Sequence, residues 1–97
     1  MTTDLLKVLC VDDEPEVLQG LKLTLRRNYR VSTAGSGKEA LGILENEGPF
    51  AIVISDMRMP EMNGAEFLSL VRMHWPETTR ILLTGYSEMN NAIRAIN

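Results

Sequence analysis

Short, almost uninterrupted apolar runs alternate along this chain with longer segments whose apolar residues recur at helical spacing. Few folds accept that order. "KVLCV" (Lys7 to Val11), "FAIVIS" (Phe50 to Ser55) and "RILLT" (Arg80 to Thr84) are nearly continuous, whereas "YRVSTA" (Tyr29 to Ala34) alternates polar with apolar. Continuous runs of this length suit parallel strands covered on both faces, and alternation suits an edge strand. The segments between them read as helices. Pro15, behind Asp13 and Glu14, suits a first helical position after an acidic start, and Val17, Leu18, Leu21 and Leu25 follow at helical spacing. "SGKE" (Ser36 to Glu39) fits a capping box that opens a helix with Ala40, Leu41 and Leu44 inward. "NGAE" (Asn63 to Glu66) repeats that spacing ahead of Phe67, Leu68 and Val71, with a stop at Trp75-Pro76. A last helix is expected from near Ser87 through Ile93 and Ile96.

The order is therefore β-α four times over, which argues for an α/β fold with a parallel sheet and right-handed crossovers. Ligands in such sheets bind beyond the carboxyl ends of the strands, at the switch in strand order. Those ends hold Asp12, Asp13 and Glu14 after the first strand, Asp56 after the third, and Thr84 with Gly85 after the fourth. Neighbouring strands lie about 4.8 Å apart. If the first and third are neighbours, three carboxylates crowd one pocket and each pushes the others toward protonation. A hard divalent cation such as Mg2+ removes that conflict, since it takes oxygen ligands and commonly uses one or two carboxylates together with a phosphate. The plainer alternative is that Asp13 simply caps the helix at Pro15.

Composition narrows the class. One domain is expected from 97 residues, and a net charge of -3 gives no general attraction to nucleic acid or anionic membranes. No apolar run approaches a membrane span, and "MTTDLLKVLC" lacks the basic start and long apolar core of a signal peptide. The single cysteine, Cys10, excludes an internal disulfide and fits a reducing cytoplasm.

Three segments, "VLCVDDEP", "VISDMRMPEMNG" and "ILLTGYS", resemble in order and separation the receiver domain of two-component response regulators, and the resemblance runs through the whole chain, residues 1–97. It implies a flavodoxin-like doubly wound parallel sheet of strand order 2-1-3-4. It implies Asp56 as the acceptor of a phosphoryl group from a sensor histidine kinase or a phosphotransfer protein. It implies a Mg2+ site in which Asp13 and Asp56 ligate directly, Asp12 acts mainly through water, and Arg58 gives its backbone carbonyl. Thr84 would be the switch hydroxyl, with Gly85 keeping the approach open, and Pro60 and Gly64 fit the loop after the acceptor. A C-terminal output domain in a longer parent protein is a further implication.

The resemblance also implies a fifth strand and helix, about 20 to 25 residues with their loops. A lysine normally ends that strand, and neither Lys7, Lys22 nor Lys38 is suitably placed. The chain is thus expected to be a C-terminally incomplete receiver domain. "RILLT" would be left as an apolar edge, a template for dimers or swapped oligomers. Four features are discounted. "AGSGKEA" lacks two of the residues of a phosphate loop, because Ser32 stands for the first glycine and Glu39 for the hydroxyl residue. Cys10 and the Met57, Met59 and Met62 group read as packing, and His74 as a surface residue. Tyr86 is either a gate on water or an ordinary exposed side chain. Two other functions compete. A phosphohydrolase with an aspartyl nucleophile would carry a second Asp where Arg58 stands, and a phosphate-independent interaction module would not need Asp12, Asp13, Asp56 and Thr84 together. An enzyme acting on other substrates is not expected.

Overall fold

The computed structural model describes residues 5–83. In chain order they form β1 (Leu6–Val11), α1 (Pro15–Leu25), β2 (Tyr29–Ala34), α2 (Gly37–Glu47), β3 (Ile52–Asp56), α3 (Gly64–His74) and β4 (Thr79–Leu83). All strand pairs are parallel and the sheet order is β2-β1-β3-β4. This is the flavodoxin-like order 2-1-3-4, with the alternating "YRVSTA" strand on the edge. The expected last helix near Ser87 lies outside the described residues.

Side-chain alternation divides the core between two faces. Leu9, Val11 and Val53 point to the face covered by α2 and α3, where Ala40, Leu44, Phe67, Leu68 and Val71 complete one buried cluster. Val8 and Cys10 point the other way and are also buried. On that second face, among the described residues, α1 packs chiefly over β1 and β2. Val17, Leu18, Leu21 and Leu25 of α1 do turn toward the sheet, but each stays half-buried. Ile81 and Leu83, farther along the same face, remain 39% and 40% exposed.

Local chemistry explains where the helices begin. Asn63 Oδ1 accepts from the Glu66 N–H at 2.8 Å, and Glu66 Oε1 accepts from the Asn63 N–H at 3.0 Å, which is a complete capping box. The expected box at Ser36 forms by half. Ser36 Oγ accepts from the Glu39 N–H at 3.1 Å, but Glu39 Oε1 reaches one residue further back, to the Gly35 N–H at 3.3 Å. "FAIVIS" also shifts: strand pairing starts at Ile52, and Phe50 is buried ahead of it.

The loop from β3 to α3 contains a strained turn. The Met62 N–H donates to the Pro60 carbonyl at 2.7 Å, closing a three-residue turn around Glu61, whose φ is 68°. Positive φ costs a residue with a β-carbon about 1–2 kcal/mol, and glycine avoids that cost at some expense in unfolded-chain entropy. Glu61→Gly is therefore expected to stabilise the protein by about 0.5–1 kcal/mol, read as a higher urea midpoint at unchanged slope. A lower midpoint would show that the turn is not strained.

Candidate metal and phosphoryl site

The site is built where two neighbouring strands end together. β1 and β3 run in register from Val8 opposite Ile52 to Val11 opposite Ser55, so the residues that follow emerge side by side. The Asp12 N–H continues the ladder to the Ala34 carbonyl at 3.1 Å. Its Oδ1 then accepts from the Glu14 N–H at 2.9 Å, just before Pro15 opens α1. That bond occupies one of the donors a helix start leaves unpaired. Asp13, which the plainer reading made the cap, is exposed, while Asp12 is buried. Glu14 occupies the N-cap position without a side-chain bond.

Asp56 closes β3 opposite Leu83 and is half-buried. One carboxylate oxygen from each of Asp12, Asp13 and Asp56 lies within 4.8 Å of the others. The Asp56 carboxyl is pushed above the usual aspartate range, first by burial, then by the charge of Asp12 and, less, of Asp13. The backbone N–H groups of Met57 and Arg58 pull it partly back. Three hard oxygen donors in unrelieved repulsion are the donor set that a small divalent cation fits.

The loop after Asp56 is tied down at several points. The Met57 N–H donates to the Leu83 carbonyl at 3.1 Å, and the Met57 carbonyl accepts from the Gly64 N–H at 2.8 Å. Met59 is buried, and Met62 packs against the core beside Gly37. Those two methionines therefore serve packing, as expected of them. Arg58 is exposed. Thr84, Gly85 and Tyr86 lie outside the described residues.

The discounted features stay apart from this site. The Cys10 thiol is fully buried and pushed up to about 11 by burial, which leaves no thiolate near neutral pH. His74 is exposed and meets Trp75 edge-on at 5.7 Å between ring centres. Two supporting contacts were not legible in the sequence. Ser55 is fully buried and donates from Oγ to the Asp56 carbonyl at 2.9 Å. Gly64 is packed against the backbone of Asp56, a contact between positions eight residues apart that no local pattern reveals.

Charge relief gives a measurable consequence. Mg2+ at about 100 times its dissociation constant should stabilise the fold by about 2.7 kcal/mol. Asp12→Asn keeps an oxygen for the Glu14 N–H but removes a charge, so it should lose most of that gain in a melting experiment with and without Mg2+. An undiminished gain in the variant would remove Asp12 from the site.

Comparison with known proteins bears on the family and the fold. Residues 8–97 match the response regulator receiver domain family. The hydrogenase transcriptional regulatory protein HoxA of Cupriavidus necator is 40% identical over 93% of this chain, which spans 18% of that protein. The response regulator protein PilR of Pseudomonas aeruginosa is 34% identical over 93% of this chain and 20% of its own length. This chain thus spans about a fifth of these curated relatives. Among solved structures, a response regulator receiver domain protein from Clostridium thermocellum superposes with a TM-score of 0.86 at 37% identity, covering 95% of this chain and 75% of that one. The chemotaxis response regulator CheY4 of Vibrio cholerae gives 0.85 at 36%, covering 96% and 81%. Fold, strand-end carboxylates and relatives converge, and the chain belongs to the response regulator receiver domain family.

Proposed function

We propose that this domain accepts a phosphoryl group on Asp56 from a sensor histidine kinase or a phosphotransfer protein, in a Mg2+-dependent reaction, and passes the change to an output domain of a longer protein. The observation that carries the reading is the meeting of Asp12, Asp13 and Asp56 at the ends of β1 and β3. The carboxylates of these three residues and the backbone carbonyl of Arg58 would hold the cation. When bound, it supplies neutralising charge to the carboxylates and to the incoming phosphoryl oxygens.

The chain's own part is chiefly positioning. A carboxylate is a weak nucleophile, but phosphoryl transfer asks mainly for alignment and charge compensation. Asp12 is fixed by its bond to the Glu14 N–H, and Asp56 by the sheet. An Asp56 oxygen attacks phosphorus, and the bond from phosphorus to the histidine nitrogen breaks. The electron pair stays on the imidazole, and the product is an acyl phosphate that water can hydrolyse. Thr84 would serve as the switch hydroxyl that senses the new phosphoryl oxygens. No turnover of other substrates is proposed.

HoxA and PilR carry regulatory names, and the sensor kinase CckA of Brucella abortus is 42% identical over 84% of this chain. These relatives support placement in kinase-to-regulator signalling; the cytoplasm is the location proposed for it. Among the described residues no helix is long and apolar enough to cross a membrane.

The test is to incubate the chain with acetyl phosphate, with Mg2+ or with EDTA, and weigh it intact. A gain of one phosphoryl group with Mg2+ alone is expected. No gain in either condition would overturn the reading for this chain and favour a phosphate-independent interaction module.

A further inference from the structure

We infer that Gly64 is a positioning residue for Asp56, required because any β-carbon there would collide with the acceptor's own peptide group. This rests on the reading of Asp56 as the phosphoacceptor.

Gly64 is the first residue of α3, and none of the described glycines has positive φ. Conformational freedom is therefore not the reason for glycine at this position; space is. A β-carbon built on Gly64 would lie 2.1 Å from the Asp56 carbonyl oxygen, 2.9 Å from its carbonyl carbon and 2.8 Å from Leu82 Cδ1. The Leu82 methyl ends a flexible side chain and can turn away. The Asp56 carbonyl cannot, because it is backbone at the end of a paired strand and accepts from Ser55 Oγ at 2.9 Å.

The far side of the contact is equally fixed. The Gly64 N–H donates to the Met57 carbonyl at 2.8 Å, and the Asn63–Glu66 capping box sets the direction of the first turn of α3. Phe67, Leu68 and Val71 hold the helix in the core. To accept a methyl group, either the helix start or the peptide that joins Asp56 to Met57 must move by about 1 Å, since real β-carbons essentially never come nearer than 3.0 Å. Movement of that peptide carries the Asp56 carboxylate with it, away from Asp12 and Asp13. A misplacement of about 1 Å in phosphoryl transfer costs on the order of 100-fold in rate.

The experiment compares the wild type, Gly64→Ala, Gly64→Ala with Leu82→Val, and Leu44→Ala. Leu44 is buried in α2 and serves as a variant destabilised elsewhere. Labelling by acetyl phosphate is measured per folded molecule, and Mg2+ affinity is measured by titrating the amide signals of Met57 and Arg58. Both Gly64 variants should label about 100-fold more slowly and bind Mg2+ at least tenfold more weakly, with Leu44→Ala unchanged in both. Leu82→Val removes the methyl that would clash, so the double variant provides a folded sample if the single one is too unstable. Recovery in the double variant, or Gly64→Ala matching the wild type, would overturn the inference while leaving the acceptor reading intact. A wild type that is not labelled overturns the acceptor reading instead, and the Mg2+ titration then decides the role of Gly64. Absence of Mg2+ binding from the wild type overturns both.

Discussion

Asp56→Asn will take up no phosphoryl group from acetyl phosphate, and without a divalent cation it will melt at a higher temperature than the wild type. The first effect follows from chemistry: a carboxamide offers no anionic oxygen to attack phosphorus. The second follows from charge. Asp56 is pushed up from 3.8 by burial and by Asp12 and Asp13, so the folded state holds its proton more tightly than the unfolded chain does. Stability contributed by that proton is complete below about 3.8 and falls as pH rises through the raised folded value. At neutral pH the ionised carboxylate is a net cost, and the amide removes it. A gain of a few degrees is expected at pH 7, shrinking toward pH 3. Equal melting of the two proteins at pH 7 would mean that the three carboxylates do not strain the fold, and continued labelling of the variant would place the acceptor elsewhere.

Phe67→Ala should destabilise the domain most among single core truncations. Among the described residues Phe67 is the largest fully buried side chain, and it lies on α3 in the cluster that joins α2 and α3 to the sheet. Phe-to-Ala changes in cores cost about 3–5 kcal/mol, against a total stability of about 5–15 kcal/mol for a small domain. At about 4–8 °C per kcal/mol, the melting temperature should fall by roughly 12–40 °C. The loss should also reach the site, because α3 anchors the loop that starts at Asp56. A fall of only a few degrees would mean that the cavity collapses, and that α3 is held by its caps rather than by this ring.

Much of this was legible in the sequence for identifiable reasons. "KVLCV" is apolar from Val8 to Val11 because β1 is an inner strand covered on both faces, and "YRVSTA" alternates because β2 is an edge. Pro15, Ser36 and Asn63 mark helix starts because their chemistry is local. The clustering of Asp12, Asp13 and Asp56 follows from strand ends meeting at a switch point, so residue type and topology suffice. What escaped was set by contacts distant in sequence or by choices between neighbours. The helix-start bond went to Asp12, whose N–H continues the β1 ladder, and not to Asp13. Gly64 looked like loop chemistry, yet its reason is the carbonyl of Asp56. The positive φ at Glu61 has no residue signature at all, since glycine or asparagine would be the ordinary choice.

The most direct measurement is to locate the phosphoryl group itself. The chain labelled by acetyl phosphate with Mg2+ is reduced with borohydride, which converts an aspartyl phosphate to homoserine, and is then digested and sequenced by mass. Homoserine at position 56 alone is the predicted result. Conversion at Asp12 or Asp13, or labelled protein with no homoserine at all, would contradict the assignment of Asp56 as the acceptor.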